Sequence, residues 1–266
     1  MPAKNKVEQL CSSFSDSDNI LVSFSGGVDS SFLLYILRMF SKAKVSAVTI
    51  KTPYIPQWEV DEATSFCKSL NINHELIELP VHRSILMNPP QRCYLCKSQL
   101  FGHIKSYAAG KGFNIIVDGS NADDKKDYRP GMKALKELGI RSPLLESGLG
   151  KEEIRKQLRD YGLEIWDKPA YACLLTRLPY NTKIESHDLK IIEDGERLLH
   201  KLGFRGARVR LRNKTVRIET NTIYFNKIIE DKVREKIIRS FKAHGIEFIS
   251  LDLEGYRMGS MNKTKP

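Results

Sequence analysis

Within six residues, Ser25-Gly26-Gly27-Val28-Asp29-Ser30 gathers two glycines, two hydroxyls and a carboxylate. The glycines let the backbone come close to a bound group, and Ser25 and Ser30 can donate hydroxyl protons to it. Unpaired N–H groups of a following helix would point at the same spot with the helix dipole behind them. The combination is that of an anion site. The Lys-Ser/Thr pair that closes a Walker A loop is missing, so the loop is not built to hold a β,γ-phosphate for transfer to water or protein. A carboxylate beside phosphates needs a bridging cation, so Asp29 is expected to contact Mg2+ or the nucleotide. The bland alternative is a serine-rich turn, and the order strand, loop, helix speaks against it.

Five cysteines are the second source of chemistry. Cys93 and Cys96, in "NPPQRCYLCKSQLF", are expected just before a helix whose N-terminus lowers the thiol pKa. That spacing lets two thiolates share a metal or cluster, and it also suits a redox pair or chance packing. Cys173, in "AYACLLTR", is expected after a further strand of the same sheet, on the edge that carries the loop. Three thiolates without an obvious fourth ligand fit a [4Fe-4S] cluster with one iron open, whereas a structural zinc wants a fourth donor. Cys67 shares a helical face with Val60, Ala63 and Leu70 and reads as core. Cys11 reads as packing.

"DGSNADDKKDYRPG" follows another apolar run. Gly119, Ser120 and Asn121 are expected to complete the nucleotide site, and Asp124 to hold Mg2+ or orient the loop, with a solvated acidic turn at Asp123 and Asp124 as the alternative. Arg129, Arg141 and Arg177 are candidate anchors for phosphate or carboxylate, or surface ion pairs. Arg208 and Arg210 alternate with valine and so share one face of a strand, with Glu219 on the partner strand. Such a pair can hold a phosphate or dicarboxylate, or form an exposed basic face.

Positioning these residues requires strands that end at a common edge. Apolar runs at "NILVSFS", "KVSAVTI", "HELIEL" and "NIIVDGS" alternate with helical periodicity from Trp58 to Leu70 and from Leu95 to Gly112. This is the pattern of a parallel sheet covered on both faces, with ligands at its carboxyl edge. A helix from Lys151 to Tyr161 leads through "LEIWD" into a proline-bearing connector. Beyond it, a helix from about Glu185 to Leu202, a hairpin of "ARVRLR" and "TVRIET", a helix from about Ile223 to His244 and a strand "IEFISLDL" form a smaller α/β unit. The expected fold is therefore α/β, with one domain over 1–180 and a second over 181–266.

The 266 residues carry 43 Lys and Arg against 32 Asp and Glu, a net charge of +11. That excess favours anionic partners and says nothing about fold. No apolar stretch is long enough to span a membrane, and "MPAKNKVEQL" has no apolar signal core, so a cytoplasmic protein without a membrane partner is expected.

The Ser25 to Ser30 loop resembles the pyrophosphate loop of the ATP-pyrophosphatase (PP-loop) superfamily, whose members split ATP between its α and β phosphates and put AMP on a substrate oxygen. With "SGGVDSS", "NPPQRCYLCK", "DGSNADDKKDYRPGMKALKELGIRSPLLE", "WDKPAYACLLTR", "GFRGARVR" and "LEGYRMGS" in this order, nearly the whole chain resembles the LarE family. Those proteins are ATP-dependent sulfur transferases that make the nickel-pincer nucleotide cofactor of lactate racemase. The resemblance implies adenylylation of pyridinium-3,5-biscarboxylic acid mononucleotide and replacement of carboxylate oxygen by sulfur, in two rounds. Some members sacrifice a cysteine at the position of Cys173; others carry a cluster on three cysteines. Cys93 and Cys96 beside Cys173 put this chain with the second type, supplied by a sulfide donor. By the same resemblance Arg177 and Glu196 belong to the catalytic centre, Arg208, Arg210 and Glu219 to the substrate site, and the protein is a homo-oligomer. A tRNA thiolase and a nucleotide-binding regulator with a structural zinc are the alternatives. No RNA-binding module accompanies the positive charge, so nucleic acid is not an expected partner.

Overall fold

The computed structural model describes residues 3–126 and 130–257. The chain divides into two compact units: Met1–Ile85 with Gln91–Lys168, and Leu86–Pro90 with Pro169–Pro266. The division falls between Lys168 and Pro169, where a boundary at 180 was expected, and the second unit also takes Leu86–Pro90. Asn88 shows why: its side-chain amide donates to the carbonyls of Leu175, Leu178 and Pro179.

In the first unit, β1 (Asn19–Ser23), β2 (Lys44–Lys51), β3 (Asn73–Glu78) and β4 (Ile115–Asp118) form one parallel sheet in the order β3-β2-β1-β4. Its helices are α1 (Ala3–Ser12), α2 (Val28–Phe40), α3 (Gln57–Ser69), α4 (Arg92–Lys111), α5 (Pro130–Glu137), α6 (Pro143–Glu146) and α7 (Lys151–Asp160). Alternation along the strands builds two cores. Ile20, Val22, Ala47 and Val117 pack with Leu33 and Leu37 of α2, Ala63 and Cys67 of α3, and Ile154 and Leu158 of α7. Leu21, Val48 and Ile50 pack on the opposite face with Phe101 and Ile104 of α4 and Leu135 of α5. Both faces of the central strand are thus dry, which is why "ILVSF" reads as one apolar run.

The expectation of a further strand before Cys173 is not met. "LEIWD" forms a single 3-10 turn, Glu164–Asp167. Leu163, Ile165 and Trp166 pack against the first core, and Arg155 of α7 donates to the carbonyls of Trp166 and Lys168. A short apolar run can satisfy its backbone that way as well as in a ladder.

The second unit holds α8 (Ser186–Lys201), β5 (Arg208–Arg212), β6 (Thr215–Glu219), α9 (Phe225–Ile229), α10 (Asp231–Ala243) and β7 (Phe248–Leu251). β5 and β6 pair antiparallel through a two-residue loop in which Asn213 takes a left-handed φ of 53°, and β7 adds in parallel to β6. The single helix expected from Ile223 to His244 is broken at Glu230, whose ψ of 135° is extended. α8 lies close on the sheet and on α10: a Cβ at Gly195 would stand 2.6 Å from the Phe241 ring.

Candidate functional site

The loop Ser25 to Gly27 leaves the carboxyl end of β1, and Gly27 is the N-cap of α2. No side chain caps that helix, so its first N–H groups stay available to a ligand. The Ser25 and Ser30 hydroxyls lie 3.0 Å apart, and Ser30 Oγ donates to the Gly27 carbonyl at 3.1 Å. Gly26 has a φ of +68°, a region that L side chains avoid, and a Cβ there would meet the Cβ of Ala63 at 3.0 Å.

β4 ends beside this loop. A Cβ on Gly119 would lie 2.8 Å from both N and Cα of Ser30, so only glycine lets the two loops touch. Buried Asn121 then joins the acids: its amide donates to Asp29 Oδ2 at 2.9 Å and its backbone N–H to Asp124 Oδ2 at 3.2 Å. Burial raises the Asp29 pKa; Asn121 opposes the shift, Asp124 adds to it, and Lys151 and Arg155 lower it. Two carboxylates held by one asparagine, in a loop lined with N–H and hydroxyl donors, form a setting for a divalent cation that bridges phosphates. The solvated-turn alternative fails for both acids. Asp124 is buried, and Asp123 Oδ2 accepts from the Lys151 N–H at 2.8 Å, capping α7.

Three supports of this site escaped the sequence reading. Asp118, the last residue of β4, accepts from Ser120 at 2.6 Å and from Ser142 at 2.5 Å and so holds the β4 loop. Lys151 Nζ lies 3.8 Å from Asp124. Lys168 Nζ donates to the Gly26 carbonyl at 2.7 Å. Asp118 had a signal in its place after an apolar run; the lysines had none. Arg141 pairs with half-exposed Glu146 at 2.8 Å and lies over the Phe14 ring, the surface ion pair that was its alternative. Arg129 lies outside the described residues.

Cys93 stands in the first turn of α4 and Cys96 one turn further on, not before the helix, with Cys93 exposed and Cys96 half-buried. The expected lowering of the thiol pKa is reversed at Cys96. Burial raises it, and the hydrogen bond from Tyr54 at 3.2 Å offsets only part of that. Cys11 and Cys67 are buried, and burial pushes each thiol to about 12, as core residues require. Among the described residues, no three His, Cys, Asp or Glu side chains gather at metal-binding distance.

In the second unit Cys173 opens a 3-10 turn, Leu174–Arg177. Two arginines grip this turn. Arg177 donates to the carbonyls of Ala172 at 2.7 Å and Cys173 at 3.2 Å, while its Nε and Nη2 meet both oxygens of Glu196 at 2.8 and 2.9 Å. Arg210 donates to the Thr176 carbonyl at 2.6 Å and pairs with Glu219 at 2.8 Å. Arg177, Glu196 and Glu219 are all buried; Arg177 and Glu196 pair with each other, and Glu219 pairs with Arg210 and Arg217. They form a scaffold for the cysteine.

Arg208 differs. It is buried, and no carboxylate lies within ion-pair distance of it among the described residues; it sits 5.7 Å from the Tyr171 ring and 5.3 Å from the Tyr256 ring. Burial and the charge of Arg177 lower its pKa, which Glu196 and Tyr256 partly oppose. It lines a pocket of about 400 Å³ with Pro169, Ala170, Gly206, Asn221 and Tyr256. Its guanidinium donates to the carbonyls of Ala170 and Ala207, so its polar atoms are partly used by the backbone while its charge has no carboxylate partner among the described residues.

The asparagine synthase family model matches residues 15–92, the stretch with the loop and the first three strands. The chain is 34% identical over 262 residues to an uncharacterized protein of Synechocystis sp., covering 98% of each, and 34% identical over 238 residues to one of Methanocaldococcus jannaschii, covering 90% of each. It is 30% identical over 262 residues to the pyridinium-3,5-bisthiocarboxylic acid mononucleotide synthase of Lactiplantibacillus plantarum, covering 97% of this chain and 94% of that one. The chain belongs to the LarE family. LarE membership and the PP-loop fold place it among ATP-using transferases. No helix among the described residues is long and apolar enough to cross a membrane.

Proposed function

We propose that the protein is an ATP-dependent sulfur transferase: it adenylylates a carboxylate of pyridinium-3,5-biscarboxylic acid mononucleotide, releasing pyrophosphate, and then exchanges the activated oxygen for sulfur, releasing AMP. The observation that carries this reading is a PP-loop site without a Walker lysine in a chain that matches a mononucleotide synthase over 97% of its length. A carboxylate oxygen leaves poorly and AMP leaves well, so activation has to precede sulfur attack.

In this reading Ser25, Gly26, Gly27 and Ser30 receive the pyrophosphate portion of ATP, and Asp29 and Asp124, ordered by Asn121, hold Mg2+. Gly119 closes the two loops on the nucleotide. Arg208 takes the anionic group of the substrate, with Arg210 and Glu219 bracing its strand. Arg177 and Glu196 fix the backbone of Cys173.

Cys93, Cys96 and Cys173 are the thiolates we assign to a [4Fe-4S] cluster. What supports this assignment is the donor chemistry: Cys93 and Cys96 lie one turn apart at the start of α4 with side chains that are exposed or half-buried, and three thiolates would leave one iron free. When bound, such a cluster supplies an open iron that carries a sulfide from an external donor. The protein works in the cytoplasm as a homo-oligomer.

The test is anaerobic incubation of the iron-loaded protein with ATP, Mg2+, sulfide and the dicarboxylate nucleotide. AMP, pyrophosphate and a product with oxygen replaced by sulfur are expected. ADP and phosphate would overturn the adenylylation. Stoichiometric dehydroalanine at position 173 would overturn the cluster in favour of a sacrificial cysteine.

A further inference from the structure

We infer that Lys168 is a positioning residue that locks the Gly26–Gly27 peptide so that its N–H, and not its carbonyl, faces the bound phosphate. The inference rests on the loop being a pyrophosphate cradle and adds how the cradle keeps its polarity.

The peptide is trans, so its C=O and N–H point to opposite sides. Lys168 Nζ takes the Gly26 carbonyl at 2.7 Å. The Gly27 N–H is thereby turned the other way, toward Ser25 Oγ at 3.4 Å, which is the side of the cradle hydroxyls. Rotating a peptide plane changes ψ of the residue before it and φ of the residue after it. With glycine on both sides no Cβ resists that rotation, so the sequence that permits the tight turn also permits it to flip. A flipped peptide would replace a donor with a carbonyl oxygen, which repels phosphate.

Lys168 is well placed to prevent the flip. Its side chain is 12% exposed and pairs with Glu62 of α3 at 2.6 Å, on the helix against which Gly26 is seated. Its own carbonyl accepts from Arg155 at 2.9 Å, and Arg159 stacks 4.0 Å from the neighbouring Trp166 ring, so the segment is strapped to α7. The lysine therefore reaches the carbonyl from a fixed base.

The test uses the full chain with pyrophosphate, ATP and AMP as probes and reads the Gly27 amide by heteronuclear NMR. Lys168→Met should weaken pyrophosphate and ATP binding roughly tenfold, the worth of one charge-assisted hydrogen bond, and AMP binding by less than about threefold. Saturating pyrophosphate should shift the Gly27 amide in the wild type and in Lys168→Arg, and leave it in place in Lys168→Met. Lys168→Gln, too short to reach the carbonyl, replaces the methionine variant if that one does not fold. A wild-type-like Gly27 shift in Lys168→Met would overturn the inference and make Lys168 at most a direct phosphate contact; an equal loss of AMP and ATP would overturn it too. Failure of the wild type to bind pyrophosphate would instead remove the cradle itself, and the inference with it.

Discussion

Replacing Glu196 with glutamine keeps the shape of the side chain and removes its charge from a buried pair. Arg177 is 2% exposed and Glu196 4%, and the two meet through two charge-assisted hydrogen bonds, at 2.8 and 2.9 Å. Glu196 Oε1 also accepts from the Val209 N–H at 3.0 Å, which ties the pair to β5. Glutamine can serve Val209 and one guanidinium N–H, but it turns an amide N–H toward the other and leaves the buried cation without its counter-charge. Breaking such a pair costs about 3–5 kcal/mol, so Glu196→Gln should lower stability by roughly 3 kcal/mol, measured as a shift of the urea midpoint at unchanged slope. Arg177→Met with Glu196→Leu should recover much of that stability, because apolar groups need no counter-charge. The double variant should still lose sulfur transfer, since the Cys173 backbone has lost its clamp, while it keeps ATP binding. If Glu196→Gln abolished transfer with stability within about 1 kcal/mol of the wild type, the scaffold reasoning would be wrong and Glu196 would be acting on the substrate.

Gly119→Ala should weaken ATP binding and destabilise the protein by about 1–3 kcal/mol, because its Cβ meets the backbone of Ser30 at 2.8 Å. Gly102→Ala, in α4 with open space around it, should stabilise by about 0.5–1 kcal/mol and serve as the control. Asp29→Asn should raise the thermal midpoint of the ligand-free protein at neutral pH and abolish adenylylation. The sign follows from a folded pKa raised by burial: the native state is favoured while Asp29 is protonated and loses that advantage as pH rises, so the gain of the variant must vanish on acidification. A gain that persists in acid would count against that origin. Arg208→Gln should weaken dicarboxylate-nucleotide binding at little cost in stability, whereas Arg210→Gln should lower stability by leaving Glu219 short of a partner; calorimetry and thermal melts on both variants separate the roles, and equal losses of affinity would refute the division.

The parallel sheet was legible because strands buried on both faces leave nearly unbroken apolar runs, and the loop because glycine and serine at a strand-to-helix turn have few other uses. Helix ends were legible only to within a few residues: the periodicity from Ile223 to His244 runs on across Glu230, where the backbone is extended. "LEIWD" misled because five residues with three apolar side chains fit a strand or a turn packed on a core, and only the distant Arg155 decides. Lys168 and Ser142 were out of reach for the same reason, since nothing local to a lysine says which carbonyl it will meet 142 residues away.

The arginines and glutamates of the second unit show most clearly what residue type leaves open. Sequence alternation put Arg208 and Arg210 on one face and made them equivalent. Packing separates them, because Glu219 stands opposite Arg208 in the ladder yet bonds Arg210, two residue pairs along, and Arg217, which stands opposite Arg210. Glu196 is likewise occupied by Arg177 and Val209. Both buried carboxylates, Glu196 and Glu219, are therefore used in holding the Cys173 turn, and buried Arg208, which pairs with neither, lines the pocket together with Arg205 and Glu254. A surplus cation costs free energy in a buried setting unless an anion arrives. The arrangement is consistent with ligand affinity arising from an imbalance that the scaffold creates, so a further acid in the wall of the pocket that Arg208 lines, as in Asn221→Asp, should stabilise the ligand-free protein and weaken its hold on the anionic substrate. Stabilisation without loss of affinity would show that the substrate draws its counter-charge from elsewhere.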